Sequence, residues 1–257
     1  MKAIILAAGQ GSRLGARTHD RPKCLIEFAG RSLLDRQLDT LAANGVDEAV
    51  VVTGFRDDQI EACLARREGG PRVRTLFNPF FKVADNLGSL FIAREELAGD
   101  VLVWNGDTLV STELMRRVVG NRRQAGICIT IDRKDGYDDD DMKVVVDGGG
   151  RLRAIGKRLS DGVNAESIGL LAFRGDGAKR FASAIEQAMR TSEGTTIWYL
   201  RVIHHLAQNS EVWTFDISGE EWGEVDFPED VAGAEALCAQ WDAGREVRRR
   251  AGEAAAA

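Results

Sequence analysis

The sequence predicts a layered α/β fold with a mixed, mostly parallel sheet, and two observations lead to this prediction. First, short apolar runs alternate with amphipathic segments along the first part of the chain, which is typical of parallel strands joined by helices. Second, two later apolar runs flank the turn Gly148-Gly149-Gly150, which predicts a β-hairpin and an antiparallel part of the sheet. We expect one domain over residues 1–243 and a C-terminal extension over residues 244–257.

The first half of the chain begins with an apolar run over residues 2–8 that ends in small residues, as expected for a strand buried on both faces. Ser32 is placed to cap the next helix and Gly45 to end it. The elements predicted there are a helix over 33–44, a strand over 49–53, a helix over 57–67 and a strand over 73–77.

The second half of the chain starts with a short helix at Asn86. This side chain is placed to cap that helix; recognition of a base is the alternative, because an amide both donates and accepts hydrogen bonds. An acidic run over 137–141 predicts a solvated loop. The other predicted elements are strands over 101–104, 126–132, 142–146, 152–155, 168–173 and 212–217, and helices over 176–190, 197–208 and from Pro228 to about Trp241.

Composition and charge argue against several classes of protein. The formal net charge of −6 and the pI near 5.3 argue against a general nucleic-acid surface. The four cysteines form no CxxC pair, so there is no zinc signature and we expect reduced thiols. We also find no leader pattern and no apolar run of about 18 residues. We therefore expect a soluble, cytoplasmic protein without a membrane partner, and homo-oligomerisation stays open.

A glycine-rich turn follows the first strand at Gly9 and Gly11, and two cations, Arg13 and Lys23, lie just beyond it. Successive amides in such a turn form an anion-binding concavity. A dinucleotide fingerprint would need a glycine where Leu14 stands, and a P-loop would need a terminal Gly-Lys-Ser/Thr. The turn therefore suits a phosphate but matches neither motif, and an ordinary tight turn is the alternative.

A carboxylate, Asp107, follows the predicted strand over 101–104. The carboxyl ends of parallel strands are where α/β sheets bind ligands. Mg²⁺ prefers oxygen ligands and commonly uses one or two carboxylates together with substrate phosphates. The residue is thus a candidate metal ligand, with an aspartate of a turn as the equal alternative.

The opening stretch resembles that of the sugar-phosphate nucleotidylyltransferases, whose pattern is LAAGxGxRLxxxTxxxPKxL. The matching residues are Leu6, Ala7, Ala8, Gly9, Gly11, Arg13, Leu14, Thr18, Pro22, Lys23 and Leu25. The Gly106-Asp107 pair and a WxEVDxPED segment over 222–230 extend the resemblance over nearly the whole chain. The resemblance implies a three-layer, Rossmann-like nucleotidyltransferase fold.

The chemistry that the resemblance implies is attack by a phosphate oxygen on the α-phosphorus of a nucleoside triphosphate, with pyrophosphate leaving. Asp107 and Asp226 would hold Mg²⁺, Arg13 would neutralise the pyrophosphate, and Lys23 would bridge the α-phosphate and the acceptor phosphate. Catalysis would then rest on positioning and charge neutralisation, because a phosphate acceptor is already ionised. The nucleotide would be cradled near Leu6, Ala8, Gly9 and Gly11.

Other segments resemble the branch that contains the phosphocholine cytidylyltransferases. These are Asn78-Pro79-Phe80 and the stretches over 85–90, 141–144 and 166–169. This second resemblance implies that CTP is the nucleotide, with Asn86 and Ser89 near the nucleotide or acceptor pocket. The acceptor contacts are predicted around Lys157, Glu166, Trp198, Tyr199 and Arg201.

The predicted acceptor segment departs from that branch at one point. Choline-handling members tend to carry an aromatic pair followed by acidic residues, whereas here Leu200 and Arg201 follow the aromatic pair. A guanidinium does not suit a quaternary ammonium, so Arg201 favours an anionic or neutral phosphonate, unless its side chain faces solvent.

The main hypothesis is therefore a CTP-dependent cytidylyltransferase that acts on a small phosphate or phosphonate. A sugar-1-phosphate nucleotidylyltransferase that uses another nucleotide is the nearest alternative. A non-catalytic nucleotide-binding regulatory protein would not need the two cations and two aspartates together. A dehydrogenase is disfavoured because the third glycine of its fingerprint is absent.

Overall fold

Strands and helices alternate along most of the chain. The computed structural model describes residues 1–121 and 126–256, with side chains up to residue 247. The strands are β1 (Lys2–Leu6), β2 (Glu27–Phe28), β3 (Arg31–Ser32), β4 (Glu48–Thr53), β5 (Arg72–Phe77), β6 (Val101–Asn105), β7 (Thr108–Val110), β8 (Ile127–Asp132), β9 (Lys143–Val146), β10 (Leu152–Ile155), β11 (Ala165–Phe173), β12 (Val212–Asp216) and β13 (Trp222–Glu224). The α-helices are α1 (Leu33–Ala42), α2 (Asp57–Ala65), α3 (Asn86–Ile92), α4 (Thr112–Gly120), α5 (Gly177–Met189), α6 (Tyr199–Asn209) and α7 (Asp230–Ala256).

Nine of the strands in the described residues form one mixed sheet. Its order is β10-β9-β11-β6-β1-β4-β5, and β8 joins β11 to β12 beside this path. The half around β1 is parallel, because β1 pairs in parallel with β4 and β6, and β4 with β5. The other half is mostly antiparallel, since β11 runs against β6, β8 and β9, and β9 and β10 form the predicted hairpin. The predicted mixed, mostly parallel α/β sheet is confirmed.

The sheet lies between two layers of helices, as its apolar strands require. Ala3, Ile4 and Ile5 of β1 are fully buried, because neighbouring residues of a strand point to opposite faces and both faces are covered. Residues of α3, α5 and α6 pack into the core on one face, and residues of α1 and α4 into the core on the other. A third cluster joins α7 to β2 and α1.

The starts of two helices test the capping predictions. Ser32 caps α1 as predicted, because its hydroxyl accepts a hydrogen bond from the Asp35 amide. The prediction that Asn86 caps α3 was wrong. Asp85 holds that position, and its carboxylate accepts a bond from the Asn86 amide, 2.7 Å away. The Asn86 side chain is therefore available for another contact.

The final helix differs from its predicted limits. It begins at Asp230, two residues after Pro228, and continues to Ala256 rather than ending near Trp241. The Asp230 carboxylate accepts hydrogen bonds from the amides of Asp226 and Phe227. The start of α7 therefore fixes the backbone at one of the predicted site residues. Among the described residues, no helix combines the length and apolarity that crossing a bilayer requires.

Candidate functional site

A cleft of about 380 Å³ opens at the carboxyl ends of β1 and β6, where parallel strands of α/β sheets present their ligand sites. The residues that line it come from many parts of the chain: the glycine-rich turn, the start of α3, the end of β6, the acidic loop, the loop after β10, β11, the start of α6 and the stretch from the end of β13 towards α7. These parts are far apart in sequence, and the order of strands in the sheet brings them together.

The centre of the cleft is an ammonium held between two carboxylates. Lys23 Nζ lies 2.5 Å from Asp107 Oδ2 and 2.7 Å from Asp226 Oδ1. Burial lowers the pKa of Lys23, but the two carboxylates outweigh this effect and hold the pKa above its ordinary value. The lysine is therefore cationic at any physiological pH. The structure thus joins three of the four residues that were predicted to carry the chemistry.

The two aspartates fit a divalent cation that prefers oxygen ligands. Asp107 uses only one carboxylate oxygen in the contact with Lys23, and its Oδ1 is buried without a hydrogen-bond partner in the part of the chain that the structure describes. A buried carboxylate oxygen without a partner is costly unless a ligand satisfies it. No group of three or more metal-binding side chains occurs in the described residues. The two carboxylates of Asp107 and Asp226 suit Mg²⁺, which takes few protein ligands when it also binds substrate phosphates.

Arg13, the fourth predicted catalytic residue, lies at the mouth of the cleft. Its Nη1 is 3.5 Å from Asp226 and 3.7 Å from Asp140, and its guanidinium stands 5.0 Å from the centre of the Phe227 ring. Asp140 is also 3.4 Å from Lys157 Nζ. Asp138, Asp139 and Asp140 of the acidic run are exposed, as predicted, whereas the Asp141 side chain is largely buried beside Lys134. Asp140 additionally lies between two cations of the site. Sequence reasoning missed this contact because nothing local to the loop indicates it.

The glycine-rich turn approaches Lys23 closely. Gly11 has a φ of +72°, which favours glycine. A Cβ at this position would lie 2.8 Å from the Cβ of Lys23, so any other residue would displace the lysine. Gly9 and Leu6 also line the cleft. Ala8, a further predicted nucleotide contact, lines only a neighbouring hollow of about 550 Å³.

The other two predicted nucleotide residues, on α3, are placed differently from each other. Asn86 lines both the cleft and the neighbouring hollow, and its Oδ1 accepts a hydrogen bond from the amide of Tyr199, 3.0 Å away. Ser89 lines only the hollow, and its buried hydroxyl accepts a bond from Asn78 Nδ2 at 3.1 Å. Asn86 thus accepts a hydrogen bond from a backbone amide in the first turn of α6 and does not cap its own helix.

Of the five predicted acceptor residues, the structure brings Lys157 and Trp198 into the cleft. Lys157 Nζ lies 5.1 Å from the centre of the Trp198 indole, and the Trp198 side chain is partly exposed. Tyr199 is fully buried behind the cleft wall, and Glu166 is buried beside Lys134, 3.1 Å away. Arg201 is exposed and does not line the cleft.

The orientation of Arg201 follows from helix geometry. Successive residues of a helix point about 100° apart, and Leu200 is the residue of this pair that lines the cleft. The guanidinium therefore faces solvent, which was the alternative that the sequence left open.

Glu224 is one of several residues of the cleft that were not predicted. It lies two positions before Asp226, and side chains two apart along an extended chain point the same way, so this spacing was a usable signal. No hydrogen-bond or ion-pair partner for Glu224 occurs within the described residues. The side chain is open to solvent in the cleft, but surrounding protein atoms desolvate it and Asp107 and Asp226 repel its charge. Together they raise the pKa of Glu224 to about 8.

The sequence matches a known protein family and several known proteins. A family model described as MobA-like NTP transferase domain matches residues 3–253. The chain is 31% identical over 242 residues to CMP-5'-(3-aminopropyl)phosphonate synthase of Streptomyces rubellomurinus, over 90% of this chain and 37% of the relative. It is 32% identical over 248 residues to the bifunctional IPC transferase and DIPP synthase of Rubrobacter xylanophilus, over 94% of this chain and 52% of the relative. The chain thus spans about a third to a half of the length of these two relatives.

A third relative matches this chain over nearly its own full length. It is the choline-phosphate cytidylyltransferase of Streptococcus pneumoniae, 26% identical over 240 residues, which cover 90% of this chain and 95% of the relative. Solved structures share the fold. CTP:phosphocholine cytidylyltransferase from Streptococcus pneumoniae has a TM-score of 0.76 at 21% identity, over 92% of this chain and 98% of that chain. The inositol-1-phosphate CTP transferase from T. maritima has a TM-score of 0.77 at 25% identity, over 93% and 95%. The predicted Rossmann-like nucleotidyltransferase fold is thereby confirmed.

Proposed function

Because the chain belongs to the MobA-like NTP transferase domain family, close to its cytidylyltransferases, we propose that it transfers CMP from CTP to a small phosphate or phosphonate and releases pyrophosphate. The observation that carries the proposal is the contact of Lys23 with both Asp107 and Asp226 in one cleft. Phosphoryl chemistry of this kind depends on positioning and charge neutralisation, and a cation between two carboxylates beside a glycine-rich turn can supply both.

The residues of the cleft would divide the work as follows. Asp107 and Asp226 would hold Mg²⁺, which neutralises charge on the phosphates when it is bound. Lys23 would exchange its carboxylate contacts for oxygens of the α-phosphate and the acceptor. Arg13 is exposed at the mouth of the cleft and would neutralise the leaving pyrophosphate. No side chain needs to act as a general base, since the attacking oxygen is already ionised.

The acceptor proposed here carries an amino group as well as a phosphate or phosphonate. Arg201 faces away from the cleft, so the reason for excluding a cationic acceptor no longer holds. Lys157 beside Trp198 offers a cation for the phosphonate. The pKa of Glu224 is about 8, so the group is mostly protonated at neutral pH, but an ammonium bound beside it would lower this pKa and be paired with the resulting carboxylate. Two relatives are named for aminoalkylphosphonates, which agrees with this charge pattern. They are the CMP-5'-(3-aminopropyl)phosphonate synthase and a 2-aminoethylphosphonate cytidylyltransferase of Lancefieldella rimae, which is 25% identical to this chain over 90% of each protein. The same names do not favour a sugar 1-phosphate.

A screen of pyrophosphate release tests the function. CTP, UTP, dTTP, ATP and GTP are each combined with Mg²⁺ and with 3-aminopropylphosphonate, 2-aminoethylphosphonate, phosphocholine or glucose 1-phosphate. We expect the fastest release with CTP and an aminoalkylphosphonate. Absence of release with every pair would refute the proposed function, and preference for glucose 1-phosphate would refute the acceptor class.

Substitution of one carboxylate tests the assignment of the centre. Asp107→Asn keeps the size of the side chain but removes its charge, so we expect turnover to fall by about 100-fold or more. Asp161→Asn, at an exposed position outside the cleft, is the matched control and should retain wild-type turnover. If Asp107→Asn retains turnover at the same Mg²⁺ concentration, the metal assignment is wrong.

A further inference from the structure

Asn105, at the end of β6, lines the cleft next to Asp107, and its amide is held from behind. Its Oδ1 lies 3.0 Å from the hydroxyl of Tyr199, a side chain with no solvent exposure. The backbone amide of Tyr199 in turn donates to Asn86 Oδ1. Tyr199 is therefore held at its backbone amide by Asn86 of α3 and at its hydroxyl by Asn105 of β6. The hydrogen bond from the hydroxyl leaves the Asn105 amide little freedom to rotate.

The direction of the hydrogen bond between Tyr199 and Asn105 follows from the surroundings of the phenol. Burial, with a smaller effect of Asp107 and Glu224, raises the pKa of Tyr199 well above its ordinary value. The phenol therefore keeps its proton, and a buried hydroxyl needs an acceptor for it. Asn105 Oδ1 is that acceptor, so Asn105 Nδ2 and its two N–H donors point elsewhere.

Gly169 on β11 provides the space into which the amide of Asn105 fits. Its φ of +73° favours glycine, and a Cβ there would collide with Asn105 Nδ2. Because β11 lies beside β6 on the side away from β1, the amide nitrogen faces the half of the cleft opposite the glycine-rich turn. Trp198, at the start of α6, lines this same cleft with Lys157. This half is the one that the proposed function assigns to the acceptor.

We propose that Asn105 Nδ2 donates a hydrogen bond to a phosphoryl oxygen of the acceptor, and that Tyr199 is a positioning residue that acts through Asn105. The inference rests on the proposed function, since it names a contact of the same site. Beside the carboxylate of Asp107, a neutral amide is a donor that binds an anionic oxygen without adding another charge. The class of ligand is a tetrahedral phosphate or phosphonate, not the base or ribose of the nucleotide.

Two substitutions test separately the role of Asn105 as the donor and the role of Tyr199 in positioning it. Asn105→Asp replaces the N–H donors by a carboxylate of the same shape, and we expect the KM for 2-aminoethylphosphonate to rise by about tenfold or more. Tyr199→Phe removes only the hydroxyl and keeps the ring packed on Phe181, so the acceptor KM should rise by about three- to tenfold. In both variants the KM for CTP should stay within about twofold. The double variant should behave like Asn105→Asp alone, because Tyr199 acts through that amide.

Asn209→Asp, at an exposed position at the end of α6, is the matched control and should bind the acceptor like the wild type. Calorimetry with 2-aminoethylphosphonate gives a Kd without turnover, and circular dichroism verifies that each variant is folded. Acceptor Kd values of folded Asn105→Asp and Tyr199→Phe that equal the wild-type value would overturn the inference, as would an equal rise in the KM for CTP. Failure of the proposed function is a separate result, namely absence of pyrophosphate release by the wild type.

Discussion

Asp140 is the residue whose place in the site is least expected from its surroundings in the sequence. Its carboxylate lies between Arg13 and Lys157, within 3.7 Å and 3.4 Å of their nitrogens. Both cations are proposed to bind phosphate groups, so the carboxylate occupies a position that suits an anionic oxygen of a substrate. A substrate that binds there must separate these pairs, and this separation costs part of its binding energy.

Removal of this competing carboxylate should strengthen anion binding. We expect Asp140→Asn to bind inorganic pyrophosphate about two- to fivefold more tightly than the wild type, since the pairs are solvent exposed and individually weak. Calorimetry at low ionic strength measures the change, and added salt should reduce it. Asp139→Asn is the matched control, because Asp139 lies in the same loop but extends into solvent, 4.0 Å from Lys143. Weaker pyrophosphate binding by Asp140→Asn would show instead that Asp140 helps to hold the cations in place.

Helix α7 is attached to the rest of the protein through a buried arginine of α1. The Arg36 guanidinium donates to both carboxylate oxygens of Asp242, at 3.1 Å and 2.7 Å, and to the carbonyl of Phe28. On the same helix, Arg245 donates to Thr112 at 2.7 Å. Since α7 also starts at the residue that holds Asp226, these contacts link the C-terminal helix to the geometry of the site.

Loss of this carboxylate should destabilise the whole domain. Asp242→Asn leaves a buried guanidinium without its charged partner, so the free energy of unfolding should fall by about 1–3 kcal/mol. Urea denaturation measures the change. Glu186→Gln removes an exposed carboxylate paired with Arg190 on α5 and should have no measurable effect. If Asp242→Asn also unfolds at the same urea concentration as the wild type, α7 is not attached through Arg36.

The C-terminal limit of helix α7 was not predicted from the sequence. The predicted boundary between residues 243 and 244 falls inside α7, which continues through Gly244. A single glycine weakens a helix by about 1 kcal/mol but does not end it, and the sequence has no proline after Pro228 that would. The single domain over 1–243 stays a prediction. By contrast, the limits of α1 and β4 were predicted closely, since Ser32 and a continuous apolar run are local signals.

The candidate site was predictable to the extent that its residues are adjacent in sequence. The glycine-rich turn with Arg13 and Lys23 was recognised from spacing, and the resemblance then supplied Asp107 and Asp226. Contacts between distant segments could not be read from periodicity. The hydrogen bond of Tyr199 with Asn105 is of this kind, since the two side chains meet only when α6 packs against the sheet.

Strands β8, β9 and β11 meet around a buried carboxyl whose titration should affect the stability of the entire molecule. Glu166 on β11 stands between Asp132 of β8 and Lys143 of β9 in the strand register, and its carboxyl is close to Asp141 and Lys134. Burial, helped by the hydrogen bond with Asp141 and opposed by Lys134, raises the pKa of Glu166 to about 7. Although burial acts in the opposite direction, hydrogen bonds from Lys134 and Glu166 hold the pKa of Asp141 below its ordinary value.

The sign of the resulting pH dependence follows from these two directions. Between about pH 4.5 and 7 the folded protein keeps a proton on Glu166 that the unfolded chain has lost, so the stabilisation from this group is fully present below this range and is lost as the pH rises through it. The loss should amount to about 2–3 kcal/mol. The pKa of Asp141 is lowered, so its stabilisation is constant above its ordinary pKa, is lost only at lower pH, and adds no pH dependence in this range. Glu166→Gln cannot titrate, and its free energy of unfolding should vary less between pH 5 and pH 7.5 than that of the wild type. Urea denaturation at the two pH values measures the difference. The titration of Glu224 largely cancels because both proteins contain it and because Glu166 is the smallest of the causes that shift its pKa. Equal pH dependence in the two proteins would mean that Glu166 is ionised throughout this range and that Lys134 alone balances its charge.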